Sequence, residues 1–148
     1  MICVIQRVSE ACVTVGDQIV GQIGAGMLVL VSVHATDVEE DLVWTARKLS
    51  TLRMFAVGER NFERDVMETG GSILLVSNFT VAAETSKGRR PSLGAAASPE
   101  IGRPMFDRLV AAVRSHVANT QTGQFGADMK VSLINDGPVT FLLNSRNK

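Results

Sequence analysis

The stretch Met27–Val33 has the sequence MLVLVSV, a nearly continuous run of aliphatic residues. A strand with one solvated face alternates apolar and polar residues, so an unbroken run of this length predicts a strand that is buried on both faces. A second run, Ile73–Val81, has the same character over most of its length. The two runs therefore predict the covered centre of a sheet.

The segments on either side of the first run predict a hairpin and a helix. Before it, β-branched residues between positions 2 and 23 are interrupted at Gly16-Asp17, a pair favoured in tight hairpin turns. After it, apolar residues recur at helical spacing from Asp37 to about Phe55. Asp37 and Glu40 have the spacing of a capping box, which predicts the start of this helix.

The remaining segments predict two loops, a second helix and two strands. Residues 56–70 are polar and predict a loop with a short strand, whereas residues 82–98 form a long connection that we interpret as a binding loop. Ser98-Pro99 predicts the start of the second helix. Strands are predicted at 129–134 and 139–143.

These elements predict a mixed α+β fold in which the sheets pack in layers or roll toward a barrel, with two helices on the outside. A chain of 148 residues has the length of one ordinary domain, so we expect a single domain over residues 1–148. No repeat or low-complexity tract divides it.

The composition excludes several classes of protein. Fifteen basic and fifteen acidic residues give zero formal charge, which argues against coating of long nucleic acid and predicts no DNA partner. Cys3 and Cys12 are too few for a disulfide framework and predict buried free thiols in a reducing cytoplasm. No apolar run is long enough to cross a membrane, and no targeting segment is visible.

The familiar catalytic constellations are missing from the sequence. His34 and His116 are the only histidines, and neither has a metal-ligand partner at the usual spacing. Gly-x-Ser-x-Gly and phosphate-binding-loop motifs do not occur. We therefore predict no metal and no cofactor, and less obvious groups have to carry any hydrolysis.

Three polar strings stand out from the apolar pattern, and each has a structural interpretation beside a functional one. Ser77-Asn78-Phe79-Thr80-Val81 interrupts a buried strand, either as half-buried hydroxyls bonded to backbone or as a site at the strand end. The string Asn135–Phe141 contains Asp136-Gly137-Pro138, which is either a tight turn or a functional corner. In Gly123–Met129, Phe125 and Met129 have the spacing of core residues.

Four ordered strings together resemble the D-aminoacyl-tRNA deacylase family: SNFTV at 77–81, KGRRPSL at 87–93, FGADM at 125–129 and NDGPVT at 135–140. The opening IQRV at 5–8 is similar as well, so the resemblance covers almost the whole chain. This sequence differs from the family pattern at three positions. These are Asn78, where Gln is usual, Val81, where Leu is usual, and Ala82, where an aromatic residue is common.

The resemblance implies hydrolysis of the ester between a D-amino acid, or glycine, and the terminal ribose of tRNA, with L-aminoacyl-tRNA spared. It implies a homodimer in which Gly137-Pro138 is a cis peptide inserted into the partner's pocket. Because D and L esters have identical bonds, only a rigid surface can reject the L side chain. The base rate of cis Gly-Pro bonds is about one in twenty, so the residues alone leave the isomer open.

The resemblance also implies roles for individual residues. Ser77, Asn78, Phe79 and Thr80 form the catalytic segment, in which the N–H groups of Phe79 and Thr80 stabilise the developing oxyanion. The terminal adenine stacks on Phe125 and Met129, and acceptor-end phosphates meet the basic residues of the long loop. These basic residues are Lys87, Arg89 and Arg90, and Arg7 braces Gly137-Pro138 or else is an ordinary strand residue.

Two other functions are compatible with the same residues. The chain could be a non-catalytic module that binds RNA ends or a small ligand, since composition does not prove turnover. It could also be a hydrolase with a hydroxyl nucleophile at Ser77 or Thr80, although no obvious base is present to activate either hydroxyl.

Overall fold

The computed structural model describes residues 1–148 and contains eight strands and two α-helices, which confirms the predicted α+β class. In chain order the elements are β1 (Ile2–Val15), β2 (Gln18–Ile23), β3 (Gly26–Ser32), α1 (Glu39–Thr51), β4 (Phe55–Val57), β5 (Arg60–Arg64), β6 (Ser72–Ser77), α2 (Pro99–His116), β7 (Thr120–Thr122) and β8 (Lys130–Asn144). Short 3-10 helices span Phe79–Ala82 and Ser145–Asn147.

The strands of the main sheet follow the order β2-β1-β3-β6-β7, and β8 is a further strand that pairs with β1 outside this order. The β1–β2 hairpin turns at Gly16, which has a φ of 57°, as predicted. The sheet curls so far that β2 approaches β7. A Cβ on Gly21 would lie 2.5 Å from the carbonyl oxygen of Thr122, so only glycine permits this approach. The result is a nearly closed, barrel-like roll.

The continuous apolar runs in β3 and β6 are explained by two separate cores. Met27, Val29 and Val31 point to the larger core beneath the helices, while Leu28 points to the smaller core inside the roll. Alternate residues of β6 divide in the same way between the two cores. Because β3 and β6 are covered on both faces, their sequences lack polar alternation, and the predicted double-sided burial is confirmed.

The start of α1 differs from the prediction. Asp41, not Glu40, closes the first turn: its carboxylate accepts a hydrogen bond of 3.0 Å from the backbone N–H of Val38, and this bond lowers the pKa of Asp41 to about 2. Asp37 instead accepts hydrogen bonds from the backbone N–H of His34 at 2.7 Å and from the ammonium group of Met1 at 2.6 Å. The predicted capping box at Asp37 and Glu40 is therefore wrong.

Other element boundaries also differ from those predicted from the sequence. Helix α1 ends at Thr51 and not near Phe55, and Phe55 opens the small β4–β5 sheet, which extends into the region predicted as a loop with a short strand. The second apolar run leaves the sheet at Ser77 and turns into the 3-10 helix. The two last predicted strands are one long strand, β8, and β7 was not predicted.

Helix α2 begins at Pro99 after Ser98, as predicted, and Pro104 lies inside it without shifting its start. Neither helix has the length and hydropathy that crossing a bilayer requires. Both cysteines are free thiols, and full burial raises the pKa of Cys3 to about 12.

Candidate active site

A cavity of about 490 Å³ opens where β6 ends, and we refer to it as the strand-end pocket. Its floor is formed by β3 and β6, and its walls by α2 and the segment that leads into β8. The residues that line it are Leu30, Val31, Val33, Val76, Ser77, Asn78, Phe79, Ala97, Pro99, Gly102, Phe106, Phe125, Gly126, Ala127, Met129 and Val131. None of these side chains titrates, so the pocket offers no side-chain acid or base.

The polar string at the end of β6 terminates the strand and contributes Ser77, Asn78 and Phe79 to the pocket lining. The N–H of Asn78 still donates to the carbonyl of Val31 at 2.8 Å, but the Asn78 side chain then folds back on its own chain. Its Oδ1 accepts hydrogen bonds from the N–H of Thr80, at 3.2 Å, and from the Thr80 hydroxyl. This local cap turns residues 79–82 into the 3-10 helix.

The cap has consequences for the predicted catalytic residues. Of the two N–H groups expected to stabilise an oxyanion, that of Thr80 already has an acceptor in Asn78. The Thr80 hydroxyl donates to an amide oxygen, which cannot act as a base at neutral pH. Phe79 begins the 3-10 helix, and its side chain is 58% exposed at the mouth of the pocket.

An aromatic wall forms the opposite side of the pocket. Phe125 and Phe106 pack with their ring centroids 6.0 Å apart, and the Phe125 ring lies next to Gly102 of α2, where a Cβ would be in ordinary contact with it at 3.5 Å. A turn closed by a 3.2 Å hydrogen bond between residues 127 and 124 presents Phe125. Arg103 lies over the Phe125 ring at 4.9 Å and donates to the Phe125 carbonyl at 3.1 Å.

The residues 136–139, which we name the corner, lie outside this pocket. The register between β1 and β8 passes from Gln6↔Thr140 to Val8↔Asn135, so the corner has no partner on β1 and protrudes. It contains a cis Gly137-Pro138 bond, and both residues are exposed. They do not contribute to the pocket of their own chain.

The corner is held in place by side chains at its base. Asn135 accepts from the N–H of Val139 at 3.1 Å and donates to the Thr140 hydroxyl at 2.9 Å. Arg7 donates to the Asp136 carbonyl oxygen at 3.1 Å and to the Met54 carbonyl oxygen at 2.8 Å.

Position 137 admits only glycine. Gly137 has a φ of 126°, and a Cβ there would come within 2.9 Å of the Arg7 guanidinium and 2.8 Å of the Val139 side chain. The corner is therefore both protruding and tightly held.

The basic residues of the long loop lie at the surface and away from the pocket lining. Backbone hydrogen bonds of 2.9 Å in both directions between Glu84 and Ser92 close this loop, and Gly88 adopts a φ of 71° at its tip. Lys87, Arg89 and Arg90 are exposed on it. We name residues 87–90 the basic loop.

The structure thus brings together five of the predicted residues around one cavity, namely Ser77, Asn78, Phe79, Phe125 and Met129. Thr80, Arg7, the corner and the basic loop lie outside its lining. The helix residues of the wall were not predicted from the sequence. Gly102 is the one available signal, because glycine is an unusual residue within a helix.

His34 belongs to a separate cluster outside the pocket lining. Its Nδ1 lies 2.8 Å from the Arg146 guanidinium, and its pKa is lowered, first by burial and then by that charge. No three His, Cys, Asp or Glu side chains lie close enough together to hold a metal ion.

Comparison with known proteins gives consistent matches over the whole chain. The profile of the family described as D-Tyr-tRNA(Tyr) deacylase matches residues 4–144. The D-aminoacyl-tRNA deacylase of Chlorobaculum parvum is 49% identical over 149 residues, covering 100% of both chains. That of Teredinibacter turnerae is 50% identical over 141 residues, covering 95% of this chain and 97% of its own.

Solved structures agree with the fold. A structure titled "c-Myc DNA Unwinding Element Binding Protein" superposes with a TM-score of 0.92 at 33% identity, covering 97% of this chain and 98% of its own. A probable eukaryotic D-amino acid tRNA deacylase superposes with a TM-score of 0.84 at 16% identity, covering 96% and 97%, and this match bears on the fold alone.

The rolled sheet with two helices on one side, and an apolar pocket at a strand end, define this protein as one of the deacylase fold class. The family match and the full-length relatives then decide the identity. The chain belongs to the D-Tyr-tRNA(Tyr) deacylase family.

Proposed function

We propose that the chain hydrolyses the ester bond of D-aminoacyl-tRNA, releasing the free D-amino acid and the tRNA. One observation carries the proposal: the strand-end pocket is lined by the residues at the end of β6 and contains no titratable side chain. A site of this kind can orient an ester and stabilise charge, but it needs a substrate that brings its own proton-transfer group. An aminoacylated ribose has that group, because its 2′-hydroxyl lies next to the ester.

The reaction begins when water attacks the ester carbonyl, and negative charge develops on the carbonyl oxygen. The N–H of Phe79 stabilises this charge, and the N–H of Thr80 joins it if the substrate displaces the Asn78 side chain. The ribose 2′-hydroxyl assists the attacking water. Thr80 is a positioning residue, because its hydroxyl is directed to Asn78 rather than to the reacting carbon.

The terminal adenosine binds against the aromatic wall. RNA ends are commonly held by stacking on aromatic side chains, and Phe125 and Met129 line the pocket. Packing against Phe106 and the Arg103 hydrogen bond hold Phe125 in place. The aminoacyl ester then lies between the wall and the end of β6.

Selection of the D enantiomer is assigned to the corner of a second copy. The corner is held by hydrogen bonds at its base and is exposed at its tip, and it does not line the strand-end pocket of its own chain. Inserted into a partner's pocket, the carbonyls of Gly137 and Pro138 face the substrate α-carbon and occupy the space that an L side chain requires. Glycine has no side chain to reject, so glycyl-tRNA is a substrate as well.

A homodimer is the assembly that this mechanism requires, and β8 is suited to it. Its outer edge has no strand partner within the chain, and it exposes Ile134 (56%) and Leu142 (78%). A long edge strand with exposed aliphatic side chains invites pairing unless a partner covers it. A second copy related by two-fold symmetry would cover the strand and exchange the corners.

The basic loop is the proposed contact for acceptor-end phosphates. The protein has zero formal charge, so these three cations form a local basic cluster. Such a cluster fits a nucleic-acid substrate that the protein contacts only at one end. Replacing Lys87, Arg89 and Arg90 with Gln should raise KM for charged tRNA and flatten its dependence on salt. We assign the activity to the cytoplasm, where aminoacyl-tRNA is used.

The test is incubation with tRNA charged with a D-amino acid, its L enantiomer or glycine. We expect the D and glycyl esters to be cleaved and the L ester to keep its spontaneous lifetime. An unchanged lifetime of the D ester beside measurable tRNA binding would establish a binding module instead.

The hydroxyl-nucleophile alternative requires a separate measurement. Ser77→Ala and Thr80→Ala each remove one candidate hydroxyl while leaving the main-chain N–H groups in place. We expect each variant to retain most of its kcat. Loss of most activity, together with an acyl-enzyme trapped in the wild type by rapid quenching, would contradict the main-chain mechanism.

A further inference from the structure

A second cavity of about 300 Å³ lies directly behind the aromatic wall, between α2 and residues 122–125. We name it the flanking groove. It is lined by Arg103, Phe106, Asp107, Val110, Arg114, Thr122, Gly123 and Phe125. Because Phe106 and Phe125 belong to both linings, a wall only one side chain thick separates the groove from the strand-end pocket.

The polar residues of the groove share one face of α2. Arg103, Asp107 and Arg114 are separated by four and seven residues, and these separations place them in one row along a helix. None of the three takes part in an ion pair within the chain. Two cations and one anion therefore face a cavity without being neutralised by neighbours.

Both guanidinium groups keep donors for a ligand. Arg103 uses one nitrogen for the Phe125 carbonyl, and Arg114 uses one for the Thr120 carbonyl at 3.2 Å. Each guanidinium has five N–H donors in a planar fork that suits phosphate oxygens. These carbonyl contacts hold the two side chains in place, so little conformational entropy is lost when an anion binds.

The carboxylate of Asp107 restricts the kind of ligand. A bare phosphate would meet repulsion from Asp107, whereas a nucleotide offers a phosphate to the arginines and an amino or hydroxyl group to the carboxylate. Aspartate accepts a hydrogen bond from the exocyclic amine of cytosine, for example. The mixed charge of the groove thus fits a nucleotide unit better than a free anion.

We propose that the flanking groove binds the nucleotide that precedes the terminal adenosine of the substrate. The inference rests on the proposed function, because it takes the adenosine to lie in the strand-end pocket. The phosphate that joins the two nucleotides passes the edge of Phe125 and meets Arg103 and Arg114, and Asp107 accepts from the base or ribose. The enzyme therefore recognises two nucleotides of the RNA end.

The test compares two small substrates, the D-aminoacyl ester of adenosine and the same ester of the dinucleotide CpA. We expect the added nucleotide to lower KM by about tenfold, the effect of one good charge-assisted contact. In Arg114→Gln this gain should fall to about twofold or less, and Arg114→Lys should recover part of it. The gain should also shrink as salt is raised.

Arg108→Gln is the matched control. Arg108 lies on the same helix but pairs with Glu39 of α1 and does not line the groove, so this variant should keep the full gain. A merely structural role of Arg114 would change kcat/KM for both esters equally and leave their ratio intact. That outcome, or a wild-type enzyme with no gain from the added nucleotide, would overturn the proposal.

Binding measurements separate this inference from the proposed function. Calorimetry with unesterified adenosine and CpA tests the groove without any turnover, and CpA should bind about tenfold more tightly than adenosine. Equal affinities would overturn the groove assignment even in an active enzyme. Absence of hydrolysis of every D ester would overturn the proposed function, while a CpA preference lost in Arg114→Gln would still support the groove.

Discussion

The strand-end pocket and the corner are constructed in opposite ways. The pocket is concave and apolar, and secondary structure on both sides of it fixes its shape. The corner is convex and exposed, and side-chain hydrogen bonds from Asn135 and Arg7 hold it. One chain therefore carries both the strand-end pocket and the rigid corner, but the two do not meet within that chain.

The difference also separates two tasks of the proposed enzyme. Stabilising an oxyanion needs donors fixed at a strand end, where the local backbone already determines their direction. Rejecting an enantiomer needs a rigid surface close to the substrate α-carbon, and we assign that surface to the corner of a second copy. Variants in each region should therefore fail in different ways.

The largest effect is expected from Phe79→Pro in the pocket. Proline removes the N–H proposed to stabilise the oxyanion, yet it is tolerated at the first position of a helix. Asn78 before it has φ −147° and ψ 93°, an extended conformation whose ψ needs a shift of only about 30° to reach the range favoured before proline. We expect kcat for a D-aminoacyl-tRNA to fall by about 100- to 1,000-fold.

The matched control is Phe79→Ala, which removes the ring and keeps the N–H. Steady-state kinetics should show a far smaller loss of kcat in this variant, with circular dichroism unchanged in both. Equal kcat values for the proline and alanine variants would contradict the assignment of the Phe79 N–H as the donor that stabilises the oxyanion.

A smaller effect, of a different kind, is expected from Arg7→Met at the base of the corner. The variant loses the hydrogen bonds to the carbonyls of Asp136 and Met54 and the ion pair with the Asp136 carboxylate at 3.3 Å. A looser corner should reject L substrates less well. We expect the ratio of kcat/KM for D over L esters to fall by about tenfold, as loss of one charged contact suggests.

Arg7→Lys keeps the charge but not the planar fork, so its D-to-L ratio should lie between those of the wild type and the methionine variant. A D-to-L ratio unchanged in Arg7→Met would show that the corner does not depend on this brace.

The smallest effect is expected from Asp41→Asn, which touches neither region. The folded state lowers the pKa of Asp41 from 3.8 to about 2 through the N–H of Val38. Its stabilisation is therefore present above about pH 4 and is lost as pH falls toward about 2. Urea titration at neutral pH should give Asp41→Asn a free energy of unfolding about 1–2 kcal/mol below that of the wild type. This difference should shrink at low pH, where Asp41 of the wild type becomes protonated.

D-ester hydrolysis at neutral pH should stay at the wild-type rate in Asp41→Asn, since the helix start lies away from both regions. A difference in unfolding free energy that is the same at neutral and acid pH would contradict the assigned cap.

The two regions were not equally predictable from the sequence. The centre of the sheet followed from the apolar runs, because double-sided burial leaves a direct mark on composition. The end of β6 did not, since the chain leaves the sheet at Ser77 through an Asn78 cap within an otherwise strand-like string. The true α1 cap was not predicted because Asp37, Glu40 and Asp41 are all acidic: Asp37 instead contacts the distant ammonium group of Met1, and Asp41 caps the helix.

The candidate site shows the same division. Phe125 and Met129 came from the family resemblance and line the pocket, but the wall residues on α2 depend on how the helix packs across the sheet. Arg103 and Arg114 had no sequence signal at all, because an arginine on a helix is usually a solvated side chain. Their groove becomes visible only when α2 and residues 122–125 are placed side by side.

The central claim is that the pocket of one copy works with the corner of another. Mixing two variants tests it most directly: Phe79→Pro has a damaged pocket and an intact corner, and Gly137→Val has an intact pocket and a displaced corner, so Gly137→Val should also cleave the L ester. After subunit exchange at equal amounts, half of the Gly137→Val pockets should face the intact corner of a Phe79→Pro subunit, so hydrolysis of L-aminoacyl-tRNA should fall to about half of its rate with the same amount of Gly137→Val alone. An unchanged rate on the L ester, with mixed dimers demonstrated by differential tags, would contradict the claim.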